Sequence, residues 1–220
     1  MHIFLILAII FAVLEAYAAF TGLRQLEYIA KPAVMMFLLI WFYVATGLQA
    51  AALWFGIGIW FSLFGDVLLL WSDRLFIFGL IAFVLAHISY IIGFIHEIMA
   101  VSHWSLILAV LLGAGGVRVL RRIIGAMRAS GHYLLITPVV IYSIIITLML
   151  YMAMLTLSDI SWSANASLLV AAGAFSFFIS DIVLAWNWFV SPISHGHTRN
   201  IVLYHAGQIM LVTGVINKLG

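Results

Sequence analysis

Cysteine is absent from the 220-residue chain, which excludes a disulfide framework, a thiolate metal site and a cysteine nucleophile. Charge is almost absent too. Asp, Glu, Lys and Arg make up 7% of the residues, against roughly a quarter in an ordinary soluble domain. So few charges cannot cover a water-facing surface, so lipid has to cover most of the protein. The net charge of +2 is small, and its basic residues are scattered at span ends, which is not a nucleic-acid surface. No polar stretch is long enough for a separate soluble domain.

What fills the chain is hydrophobic sequence, 67% of all residues, in runs that suit membrane helices of about 20 residues. Polar breaks predict eight spans, at 3–20, 32–48, 51–71, 75–96, 104–124, 133–156, 166–190 and 200–218. The fold expected is an all-α, polytopic membrane helix bundle forming one transmembrane domain over residues 1–220. The apolar stretch from Ile3 to Phe20 is interrupted by Glu15 and preceded by no Lys or Arg, so it reads as a retained span rather than a signal peptide. Gly47-Leu48-Gln49 supplies a tight turn inside an apolar run too long for one crossing, and Gly113-Ala114-Gly115-Gly116 suggests close helix approach. Trp71, Trp104, Trp162 and Trp188 fall near span ends and read as an interfacial belt. His195-Gly196-His197 reads as a solvated loop.

Orientation follows from the Lys and Arg residues. Arg24, Lys31, Arg74, Arg118, Arg121, Arg122, Arg128 and Arg199 fall at odd-numbered connections, and only Lys218 falls at the other side. This places both termini outside and the odd loops in the cytoplasm, as in a bacterial inner-membrane protein.

Ionisable residues at membrane depth are costly and usually functional. Here they are Glu15, Asp66, His87, Asp181 and His205, and one cavity opening toward the cytoplasmic side is expected to hold them all. Helical spacing puts Ser62 on the face of Asp66, Tyr90 on that of His87 and Gln208 on that of His205. An Asp-bearing helix followed by a His-bearing helix occurs twice, four spans apart, which suggests a weak parallel repeat of 1–100 and 104–220. Nucleophile-elbow and zincin motifs are missing.

The sequence resembles the YhhN family, the lysoplasmalogenases of bacteria and animals. The likeness rests on Lys31-Pro32 opening span two, Phe61-Ser62 with Gly65-Asp66, and Phe78-Gly79-Leu80 leading to Ala86-His87 and Tyr90. It continues with Gly173-Ala174, Ser180-Asp181, and Tyr204-His205 with Gln208. The resemblance implies eight spans and hydrolysis of the vinyl ether bond of lysoplasmalogens, releasing a fatty aldehyde and a glycerophospho-ethanolamine or -choline. It also implies that Asp66 and Asp181 are the essential aspartates.

That chemistry suits two buried carboxyl groups. A vinyl ether hydrolyses through protonation of its β-carbon, and water traps the resulting oxocarbenium ion. Glycosidases meet a similar demand with paired carboxyls in unequal environments. Asp66 and Asp181 are therefore expected as the acid/base pair, with Glu15, Ser62, His87, Tyr90, Ser180, Tyr204, His205 and Gln208 supporting. Lys31, at the cytoplasmic mouth, either meets the substrate phosphate or snorkels to lipid headgroups. No cofactor, metal or obligatory protein partner is called for, and the partners expected are a lysophospholipid and the bilayer. Two other readings stay open: a small transporter or proton relay using the same acids, and a metal-dependent lipid amidase or esterase.

Overall fold

In lipid the backbone must satisfy its own hydrogen bonds, and the long apolar runs do so as helices. A computed structural model describes residues 2–71, 75–98 and 103–220. Among them are eight α-helices: α1 (Ile3–Thr21), α2 (Arg24–Thr46), α3 (Ala51–Trp71), α4 (Phe76–Glu97), α5 (Trp104–Ala129), α6 (Tyr133–Leu155), α7 (Ala164–Phe189) and α8 (Gly196–Leu219), with a 3-10 turn at Thr156–Ser158 after α6. Six of them, all but α5 and α8, are long and apolar enough to cross a membrane. Four arginines dilute α5, and polar residues such as Asn200, His205 and Gln208 dilute α8.

The predicted turn between α2 and α3 is present. Gly47, Leu48 and Ala50 all take positive φ, and the Leu48 side chain lies so close to Gly56 that a Cβ there would meet it at 2.5 Å. Span two begins earlier than expected. Pro32 lies inside α2 rather than at its start, so Lys31 sits about two turns into the helix and not at a loop mouth. Interior proline loses its bond to the carbonyl four residues back and crowds that carbonyl, yet α2 continues through Pro32. Likewise α5 runs five residues past the expected end, so Arg128 is a helical residue along with Arg118, Arg121 and Arg122. Arg74 lies outside the described residues.

Two helix pairs dominate the packing. Helix α7 meets α8 almost backbone to backbone: a Cβ on Gly173 would lie 2.5 Å from the Leu211 nitrogen, and one on Gly207 2.8 Å from the Phe177 nitrogen. Helix α3 meets α4 through rings laid over glycine, with Tyr90 on Gly58, Phe83 on Gly65 and Phe55 on Gly93. Small residues allow such close approach where no hydrophobic effect drives helices together. Gly207→Leu is therefore expected to destabilise the folded protein by at least about 1–3 kcal/mol, the usual cost of overpacking, because rigid backbone blocks the new atoms. Thermal unfolding in detergent checks this, and an unchanged midpoint would contradict the packing described.

The main core joins Val34, Met35, Leu38 and Phe42 of α2 to Phe55 and Ile59 of α3, Tyr90 and Phe94 of α4, Met149 and Leu150 of α6, Phe177 of α7 and Leu211 of α8. A second cluster ties α5 to its neighbours through Phe76, Ile123, Met127, Val139 and Phe189. Trp71 and Trp104 are exposed at helix ends as a belt requires, but Trp162 is buried in the core. Its indole donates to the Glu97 carbonyl at 3.3 Å, and that partner removes the need for an interface.

Candidate active site

Five helices, α2, α3, α6, α7 and α8, deliver carboxylates or their partners to one cavity of about 510 Å³, within the roughly 300–1,000 Å³ usual for ligand sites. Asp66 projects from the last third of α3 and Asp181 from that of α7, and both line the cavity with Lys31 and Tyr204. The rest of the lining is largely apolar, with Leu69, Leu80, Phe83, Leu112, Ile123 and Phe178 among it.

Asp66 is buried. Its Oδ2 accepts from the Tyr204 hydroxyl at 2.7 Å, and its Oδ1 lies 3.4 Å from Lys31 Nζ in an ion pair without hydrogen-bond geometry. Lys31 also stands over the Tyr204 ring, 5.9 Å from its centroid. The helical position of Lys31 is what brings its ammonium to the carboxylate, so headgroup snorkelling does not describe it. A cation and a carboxylate that satisfy each other avoid the cost of burying either alone.

Asp181 has different company. Its Oδ2 accepts a short hydrogen bond from the Tyr142 hydroxyl, and Ser180 Oγ approaches its Oδ1 at 3.4 Å. Tyr142 in turn meets His87 Nε2 at 3.2 Å. If the single Tyr142 proton goes to Asp181, His87 must donate from Nε2, which agrees with a buried His87 Nδ1 that finds no donor. Among the described residues no cation is ion-paired with Asp181 as Lys31 is with Asp66. Asn200 braces the same turn of α7, donating to the Ser180 carbonyl at 2.9 Å while lining the cavity.

The remaining expected site residues lie behind this first layer and do not line the cavity. Glu15 and His205 are fully buried and bonded to each other by a short contact between α1 and α8. Tyr90 donates to Gln208 Oε1 at 3.0 Å, and Gln208 Nε2 donates to Ser62 Oγ at 3.1 Å, stitching α4, α8 and α3. One cavity therefore does not hold all five membrane ionisable groups. The same-helix neighbours expected from spacing bond across helices instead, because i,i+4 side chains that share a face point together at a third helix. The Asp–His helix pairs also cross: Asp66 of α3 bonds α8, and His87 of α4 reaches Asp181 through α6.

Sequence reasoning missed Tyr142 and Asn200. Tyr142 stood out only as a lone tyrosine in mid-span, away from the interfaces where tyrosine is ordinary. His197 is exposed, as a solvated residue should be, but it lies in the first turn of α8 and not in a loop, and its Nε2 stands 3.0 Å from Oε2 of the buried Glu27. Among the described residues no three His, Asp or Glu side chains gather as a metal ion would require.

The model of the YhhN family matches residues 26–215, a stretch that includes both aspartates and nearly every residue of the site. The chain belongs to the YhhN family. Glu15 falls outside the matched stretch. Among curated proteins the YhhN chain is similar to the human lysoplasmalogenase TMEM86B, 26% identical over 157 residues, covering 71% of this chain and 61% of that protein. It is also similar to the human lysoplasmalogenase TMEM86A, 28% identical over 165 residues, covering 74% of this chain and 65% of that protein. The chain thus spans a little under two thirds of the length of these relatives. No solved structure matches it. Composition, apolar helices and family agree on a multi-pass integral membrane protein.

Proposed function

We propose that this YhhN protein is a lysoplasmalogenase, hydrolysing the vinyl ether bond of lysoplasmalogens with Asp66 and Asp181 as its acid/base pair. The observation that carries the reading is the pairing of two carboxyls with unlike partners in one mostly apolar cavity. The names of its human relatives support it.

The unlike partners divide the roles. Asp66 has an ammonium beside it and holds a negative charge at little cost. A second uncompensated carboxylate in the same apolar space would be expensive, so the shared proton rests on Asp181. Asp181 then gives that proton to the β-carbon of the vinyl ether. Asp66 faces the oxocarbenium ion that forms. Water adds to the carbon bearing oxygen, and its proton returns to the aspartate pair. The hemiacetal splits as its hydroxyl proton passes to the glycerol oxygen, leaving a fatty aldehyde and the glycerophospho-base. In this reading Tyr142 and Tyr204 orient the two acids, His87 orients Tyr142, and Lys31 meets the substrate phosphate as well as Asp66. All eight helices cross the membrane with both termini outside, and the cavity serves the cytoplasmic side of a bacterial inner membrane.

The deciding experiment incubates purified protein with lysophospholipids carrying vinyl ether, alkyl ether or acyl chains and measures aldehyde and fatty-acid release. Only the vinyl ether is expected to react, since an alkyl ether has no π-bond to accept the proton. Cleavage of acyl lysolipids with vinyl ethers spared would overturn the mechanism. No lipid reacting, while reconstituted vesicles move solute or protons, would replace it by the transporter reading.

A further inference from the structure

Helix α5 is buried toward its two ends and not between them. Its buried residues are Ser105 near its start and Ile123 and Met127 near its end. It packs on α6 and α7, and among the described residues its backbone does not approach that of α4, which it meets only through the side-chain cluster around Phe76. Between those ends the expected close approach of Gly113-Ala114-Gly115-Gly116 does not occur. A Cβ on Gly113 or Gly115 would meet nothing within 4 Å, and one on Gly116 would only touch Thr147 at 3.6 Å. Packing therefore does not explain these glycines; they keep space open. Gly113 and Gly116 line the same cavity as the aspartates. So do Val117, Ile144 and Leu148, each more than 40% exposed, and the cavity is open on one side and not enclosed. The cavity thus reaches the lipid-facing side of the bundle between α5 and α6, in a stretch with no charged residue before Arg118.

A space with one ion-paired end and an apolar remainder open to lipid matches a particular ligand: a single-chain amphiphile with a phosphate headgroup. We propose that the α5–α6 window, floored by Gly113 and Gly116, is the hydrocarbon-chain site and lateral entrance for a lysophospholipid. It enters from the bilayer chain-sideways, with its phosphate toward Lys31 and its first chain carbons beside Asp66 and Asp181. This deepens the lysoplasmalogenase reading for turnover, but chain binding itself does not depend on catalysis. Apolar chain contacts stabilise by about 0.8 kcal/mol per buried methylene, so the window supplies affinity while the carboxyl end supplies chemistry.

The absence of cysteine makes a direct test simple. Gly116→Cys creates a single thiol, whose maleimide labelling in detergent is read by mass. A long-chain alkyl-ether lysophosphocholine, which cannot be hydrolysed, is expected to slow labelling several-fold, whereas chainless glycerophosphocholine is not. Gly115→Cys, off the cavity, is expected to label at the same rate with or without lipid. Equal slowing at both positions, or at neither, would overturn the window whatever the enzyme assay shows. In turnover, Gly116→Phe is expected to lower the ratio of kcat/KM for long-chain over short-chain vinyl ethers by at least about tenfold, the worth of roughly two methylenes. An unchanged ratio in a folded variant would also overturn it. Failure of the wild type to cleave any vinyl ether, with protection at Gly116→Cys intact, would instead fall on the catalytic reading alone.

Discussion

Asp66→Asn and Asp181→Asn are each expected to abolish aldehyde release while the protein stays folded in the membrane. Asparagine keeps the volume and an acceptor oxygen, so Tyr204 and Tyr142 keep their partners. It cannot give up a proton, and it cannot carry the charge that faces an oxocarbenium ion. Positioned acid–base groups are typically worth about 10²–10⁴-fold, so each variant should lose at least that much in kcat. The two losses differ in kind. Asp66→Asn also leaves Lys31 without its counter-charge, which should cost some stability; among the described residues Asp181 has no ion-paired cation for Asp181→Asn to strand. If the pair acts as one unit, the double variant is expected to be little worse than either single one. Size-exclusion profile and aldehyde release on detergent-purified protein provide the check. Near-normal turnover from either folded variant would leave the paired-carboxyl mechanism without support.

The second large effect concerns stability and not chemistry. Glu15 and His205 are buried, bonded to each other, and absent from the cavity wall. Removing one partner strands the other in the bundle interior, where breaking a buried pair costs about 3–5 kcal/mol. Glu15→Leu and His205→Leu should each lower the thermal midpoint sharply, and the joint variant should recover much of the loss, because the two apolar side chains can pack on one another. Strict additivity of the two effects would show that the pair is not coupled. The same experiment separates roles within the site: a residue that only ties α1 to α8 should cost stability first, with the activity of surviving folded protein little changed.

The helices were easy to read because the bilayer admits so few alternatives: backbone groups that lack water must close their own hydrogen bonds, and long apolar runs leave only helix. Starts and stops were less legible. Pro32 looked like an opening residue and Ile124 like the end of a span, yet α2 begins at Arg24 and α5 continues to Ala129. Interfacial turns hold charged and polar residues in helix as readily as in loop, and hydropathy does not distinguish them. Asp66 and Asp181 were legible as ionisable groups where lipid makes them costly. Asn200 and the Glu27–His197 pair were not, since none is unusual in its own stretch of sequence, and Tyr142 carried only the weak signal of its mid-span position.

By itself the sequence determined that this chain lives in a membrane as a helical bundle, because 67% hydrophobic residues and 7% charged ones leave no other solvent for it. It also determined which few groups are expensive enough inside that bundle to require a reason. Only the tertiary structure decided their partners. Spacing along one helix says which side chains share a face, but the helix that face meets depends on how eight of them pack, and a hydrogen bond spans only about 3 Å. That is why Lys31 became the counter-charge of Asp66, why His87 reached Asp181 through a tyrosine from α6, and why Glu15 withdrew to His205. It is also why Gly113 and Gly116 of α5, expected at a close helix interface, line the cavity instead.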